Sequence, residues 1–122
     1  MAPAPIERAL HIKDAITTLR SELAGHDLDT LVAAPLQLAG MKYLLLVIGE
    51  AAGRLPDDWQ RMFGPQINWR RVADLSNVLR HAYHHTNAEL LWEMYETDLD
   101  PLEAAIDAML AAHATPPPPA KP

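Results

Sequence analysis

The chain has 122 residues, 49% of them apolar, which is enough for one core and leaves no room for a second domain. Ten Lys and Arg against sixteen Asp and Glu leave a net charge of −6, which argues against nucleic-acid binding by bulk positive charge. No cysteine is present, so disulfides, thiolate metal sites and cysteine nucleophiles are excluded together.

The first residues lack the basic-then-apolar order of a signal peptide. The longest apolar run, Tyr43 to Ile48, is far short of a membrane span. The expectation is a small, soluble, cytoplasmic protein with no membrane partner. Residues 5–24 carry Ala9, Ile12, Ile16, Leu19 and Leu23 at helical spacing, and Gly25 is a natural stop. A loop is expected through Asp29. A second helix should then run to about Arg54, with the stripe Met41, Leu44, Leu45, Ile48, Ala52 and Leu55 facing the core. Pro56, Gly64 and Pro65 break the next stretch, leaving one short helical turn from Asp57 to Phe63.

A third long helix is predicted from near Asn68, burying Val72, Leu75, Leu79 and Ala82. Thr86-Asn-Ala-Glu89 and Asp100-Pro-Leu-Glu103 have the capping-box form and should each open a helix. The last helix carries Leu102, Ile106, Met109 and Leu110. Residues 115–122 read Thr-Pro-Pro-Pro-Pro-Ala-Lys-Pro, expected to be a disordered or polyproline II tail. The predicted organisation is therefore an all-α domain over residues 1–114, a four- to five-helix up-and-down bundle, followed by the tail.

Charge is distributed unevenly. From Gln66 to His85 there are Arg70, Arg71 and Arg80 against the single acid Asp74, together with His81, His84 and His85. From Thr86 to Asp107 there are seven acids and no Lys or Arg. At about 100° per residue, Asn77, Arg80, His81 and His84 share one side of a helix, opposite Val72, Leu75, Leu79 and Ala82. Ser76 and Tyr83 fall near the edge of the apolar face. A charge run alone is usually a solvated face. Arginine beside histidine also suits acid–base work on a phosphodiester, because histidine titrates near neutral pH and arginine holds phosphate.

Three stretches resemble the HepT-like family of the HEPN superfamily. Val47-Ile-Gly-Glu-Ala-Ala-Gly-Arg-Leu55 is similar to the family's Ile-Gly-Glu-Ala-Ala-x-x-Leu helix. Ile67-Asn-Trp-Arg-Arg-Val72, leading into Asn77-Val-Leu-Arg-His-Ala-Tyr83, resembles its Ile-Pro-Trp-x-x-Ile and Arg-Asn-x-Leu-x-His-x-Tyr. Asn87-Ala-Glu-Leu-Leu-Trp92 through Ile106 is similar to its Asp-x-x-x-x-Trp followed by Asp-Leu-Pro-x-Leu. Spacing is kept without a gap from Ile67 to Ile106.

The resemblance implies a HEPN-like bundle that acts as the toxin of a type VII toxin–antitoxin system. Such a toxin is a metal-independent endoribonuclease, without cofactor, whose Arg and His meet at a cleft between two protomers of a homodimer. Its partner, a minimal nucleotidyltransferase antitoxin, silences it by attaching AMP to the motif tyrosine. Aligned on its flanks, the family's Asn, His and Tyr are Asn77, His81 and Tyr83, but the position of its Arg is Ser76. Serine lacks the charged fork that grips phosphate. A second register pairs Arg80 with His85, but it puts Asn87 at the tyrosine position and loses the Trp69 and Trp92 spacings.

The expected site is accordingly His81 as general acid or base, Asn77 as an orienting or phosphate-binding group, and Arg80 as the cation in place of Ser76, with Tyr83 as AMP acceptor. Within one helix Arg80 and His81 would stand about 100° apart, so a second protomer is needed for them to converge on one phosphate. The alternative is a catalytically inactive homodimer that binds a nucleotidyltransferase or RNA. His81, His85 and Glu89 have metal-ligand spacing, but no family feature supports a metal. Glu50 reads as a buried polar group with a backbone or arginine partner, not a catalytic carboxylate, and Trp69 and Trp92 as core or interface.

Overall fold

A computed structural model describes residues 4–113. Seven α-helices are present and no strand occurs among the described residues: α1 (Pro5–Leu23), α2 (Leu28–Val32), α3 (Pro35–Gly53), α4 (Asp57–Phe63), α5 (Trp69–His81), α6 (Ala88–Thr97) and α7 (Leu99–Ala112). A short 3-10 turn, Tyr83–His85, separates α5 from α6. The expected all-helical bundle is what forms. Five helices have ten residues or more, and the Pro-rich tail lies outside the described residues.

The expected stripes are buried in the main, but Leu44 on α3, Val72 on α5 and Leu110 on α7 are only half-buried, and Ala82 lies beyond the end of α5. α1 sinks Ala9, Ile12, Ile16, Leu19 and Leu23, and Gly25, with φ +83°, takes the left-handed position just past its end. α3 occupies the middle, packed against α1 on one side and α5 on the other, while α7 closes against α1. By length and composition α3 would reach across a membrane, yet Met41, Leu45, Ile48 and Ala52 lie in the shared core of this bundle. Leu79 on α5 and Leu91 on α6 are fully buried with them.

Three local expectations are corrected. The helix expected from about residue 30 to Arg54 is split in two: α2 opens at Leu28, where Asp27 accepts from the Thr30 amide at 2.8 Å and the Thr30 hydroxyl accepts from the Asp27 amide at 2.9 Å, and α3 starts afresh at Pro35. The box expected at Thr86 shifts by one residue. Asn87 caps α6, accepting from the Glu89 amide at 2.9 Å, while the Thr86 hydroxyl donates backwards to the Ala82 carbonyl at 2.6 Å. Asp100 does not cap α7, which has already begun at Leu99; its carboxylate meets Arg20 at 2.5 Å instead.

Part of the acidic run is answered from outside the run. Lys13 on α1 reaches Glu103 at 3.0 Å and Asp107 at 2.9 Å, and Arg20 reaches Glu103 at 3.1 Å as well as Asp100. Arg71 reaches Asp98 at 3.4 Å. The carboxylates of Asp107 and Glu103 raise the Lys13 pKa above its ordinary value.

Candidate functional site

α3 and α5 cross with their backbones nearly touching. A Cβ added to Gly49 would stand 2.9 Å from the Ser76 amide nitrogen and 2.9 Å from the Val72 carbonyl oxygen. One turn on, a Cβ at Gly53 would stand 3.0 Å from that of Ala73. Small residues on both sides permit this approach. Ser76 is part of it: only 6% exposed, with its hydroxyl donating to the Ala73 carbonyl at 2.7 Å. The position aligned with the family's arginine is therefore a packing position here. Expected near the edge of the apolar face, Ser76 lies inside the helix contact.

On the other side of α5, Asn77, Arg80 and His81 are all exposed. The helix ends at His81, so the polar surface is not continued by helical geometry through His84 as the sequence suggested. Ala82 leaves the helix with φ −131°, and Tyr83, His84 and His85 form the 3-10 turn. The carbonyls released by this break find other donors. Ala82's accepts from Thr86, and Tyr83's accepts from the Lys42 ammonium at 2.8 Å. The break also removes the four-residue helical relation between His81 and His85. Among the described residues no group of three His, Asp or Glu side chains is placed to hold a metal ion.

Arg80 is not a free cation. Its guanidinium donates to the carboxylate of Glu50, reached across from α3. The arginine partner expected for Glu50 is thus Arg80 itself, but the carboxylate is not buried as the sequence suggested. Both side chains remain substantially solvated, at 47% and 36% exposure, and such a pair contributes only about 0–1 kcal/mol. A phosphate, which accepts two parallel guanidinium hydrogen bonds as a carboxylate does, can displace Glu50 at small cost. Arg80 therefore remains available to an anionic ligand.

Tyr83 is half-buried and docked on α3. Its hydroxyl donates to the Ala39 carbonyl at 3.0 Å, its ring lies with its centroid 5.1 Å from the Lys42 nitrogen, and the His84 ring stands edge-on at 5.5 Å. Trp69 is buried, its indole N–H donating to the Gly64 carbonyl at 2.8 Å, and Trp92 is half-buried and packs on Tyr95. A groove of about 410 Å³ runs between α1 and α3, lined by Leu19, Leu36, Gly40 and Tyr43, and no motif residue lines it.

The structure thus brings Asn77, Arg80 and His81 to one solvated end of α5, with Tyr83 in the adjoining turn. It separates them from Ser76. Sequence reasoning overlooked Lys42. A signal was present: Lys42 and Glu50 are the only charged residues in α3, and both reach the motif stretch.

Residues 12–109 match the family profile described as Ribonuclease HepT-like. Among curated proteins the chain is 32% identical over 65 residues to "Probable ribonuclease HepT" of Thermococcus cleftensis, covering 53% of this chain and 58% of that protein. It is 40% identical over 50 residues to a "Putative RNase" of Methanocaldococcus jannaschii, covering 41% and 40%. A second protein of that organism with the same description is 29% identical over 63 residues, 52% and 57% of the two chains. The chain spans about half the length of the curated relatives it matches. No solved structure matches it.

Proposed function

The chain belongs to the HepT-like ribonuclease family, and from that premise we propose that it is a metal-independent endoribonuclease, the toxin of a toxin–antitoxin pair acting in the cytoplasm. The observation that carries this reading is the shared exposure of Asn77, Arg80 and His81 at the end of α5, while Leu75, Ser76 and Leu79 of the same helix are buried. Cleavage without metal uses the RNA's own 2′-hydroxyl as nucleophile. His81 takes its proton or delivers one to the leaving 5′-oxygen, Asn77 holds the imidazole or a phosphate oxygen, and Arg80 exchanges Glu50 for the scissile phosphate.

Asn77 and His81 lie one turn apart, but a single α5 supplies one imidazole for two proton transfers. Two copies of this face meeting about a two-fold axis supply both the acid and the base. A minimal nucleotidyltransferase silences the pair by AMP transfer to Tyr83.

A second reading is favoured by two observations. Ser76 is sealed behind Gly49, and Arg80 already has a carboxylate, so the chain can persist as a homodimeric partner of a nucleotidyltransferase, or as an RNA-binding module, without cleaving. The deciding experiment is incubation of a labelled RNA pool in EDTA with unmodified wild type and with His81→Ala. Under the nuclease reading wild type leaves cyclic phosphate ends, and the variant is slower by about 100- to 10,000-fold. If the wild type, shown by mass to carry no AMP, leaves the pool intact, the partner reading replaces it.

A further inference from the structure

Lys42 has no part in the reading above, and its position is costly. It is only 8% exposed, on a helix whose other inward residues are apolar, and no carboxylate pairs with it among the described residues. Burying a lysine without a carboxylate partner is unfavourable, where a leucine or methionine of similar length carries no such penalty. Something specific must offset that cost.

The contacts all converge on one residue. The ammonium donates to the Tyr83 carbonyl at 2.8 Å and lies 5.1 Å from the centroid of the Tyr83 ring, where the negative face of the π system attracts a cation. Three residues earlier on the same helix, the Ala39 carbonyl accepts the Tyr83 hydroxyl at 3.0 Å. One turn of α3 therefore grips both ends of Tyr83, the main chain through Lys42 and the phenol through Ala39. The carbonyl that Lys42 takes lies just past the end of α5, where the helix's negative pole adds to the attraction. With α5 already ended at His81, the 3-10 turn carries Tyr83 on, and α3 holds its carbonyl and its phenol.

We propose that Lys42 is the positioning residue of Tyr83, holding its backbone and ring so that the phenolic oxygen is seated on the Ala39 carbonyl in one orientation, two residues beyond His81. This rests on the reading of Tyr83 as the AMP acceptor for its importance to function, but not for its test. Hydrophobic replacement of Lys42 preserves the burial and removes the grip. Arginine restores a cation able to reach the same carbonyl.

The test is chemical and residue-specific. Full-length wild type, Lys42→Met and Lys42→Arg are treated briefly with tetranitromethane, and nitration of Tyr43, Tyr83 and Tyr95 is measured separately by peptide mass spectrometry. The expected result is a rise of roughly threefold or more at Tyr83 in Lys42→Met, with Tyr43 and Tyr95 unchanged and Lys42→Arg close to wild type. Equal nitration of Tyr83 in all three proteins overturns the proposal. So does a parallel rise at Tyr83 and Tyr95, which reports general loosening, or a Tyr83 rise that arginine does not reverse. Failure of the acceptor reading is detected separately, by the intact mass of wild type co-expressed with a minimal nucleotidyltransferase. A chain that never gains AMP there refutes that reading and leaves the nitration result standing.

Discussion

The seam between α1 and α7 and the seam between α3 and α5 are both helix contacts with ion pairs across them, and they use charge in opposite ways. At the first, Lys13 and Arg20 each face two carboxylates where solvent still reaches. At the second, backbones approach so closely that Gly49 and Ser76 have no room to grow. There the polar groups are placed asymmetrically: a solvated Arg80 with one exchangeable carboxylate, and a buried Lys42 with none. The first arrangement neutralises an acidic surface. The second fixes the position of a few side chains relative to one another, as a site requires.

The largest effect should come from forcing the close seam apart. Ser76→Arg, which writes the family's arginine back into the motif, should cost about 3 kcal/mol of stability. A long charged side chain must either overpack the crossing or be drawn out past Gly49. Urea unfolding measures this, and a variant as stable as wild type would show that position 76 opens to solvent. Gly49→Ala should cost about 2 kcal/mol, since one methyl meets two backbone atoms at 2.9 Å. An unchanged midpoint would dissolve the contrast between the seams.

Glu50→Gln removes the carboxylate from Arg80. It should change stability by about 1 kcal/mol or less while tightening binding of a short RNA to the His81→Ala protein, most visibly at low salt. Weaker binding would mean that Glu50 positions Arg80 rather than occupies it. The smallest effect is expected at α1 and α7, where Lys13→Met should cost a few tenths of a kcal/mol, less in high salt. The Lys13 pKa is raised in the folded state by Asp107 and Glu103, so its contribution is fully present below the ordinary lysine pKa. It is lost as pH rises through the folded value. Wild type and Lys13→Met should therefore converge in melting temperature only in strong alkali.

Most of the bundle was legible because its information is local. The stripes of α1, α3 and α7 repeat at helical spacing, and the breaks around Pro56 and Pro65 announce themselves. What was misplaced depends on contacts distant in sequence. Nothing in Arg80-His-Ala-Tyr-His marks the end of α5, because no glycine or proline stands there. The helix yields where Thr86 and Lys42 offer its carbonyls better partners. α2 was read as the start of α3, and its cap, Asp27 with Thr30, lay in a stretch whose glycine suggested only a loop. Within the candidate site the family resemblance supplied Asn77, His81 and Tyr83 by alignment. It could not reveal that Ser76 faces Gly49, that Arg80 is already engaged, or that Lys42 sits beneath the tyrosine ring.

The hydrogen bond from Tyr83 to Ala39 has a consequence of its own. A phenol can donate only while it keeps its hydrogen, and any group esterified to that oxygen removes it. The Ala39 carbonyl would then face an oxygen at 3.0 Å with lone pairs on both sides, a contact that repels where it had attracted. A chemical mark on Tyr83 therefore cannot leave the chain in the same shape. A group joined to that oxygen would displace the turn that follows His81.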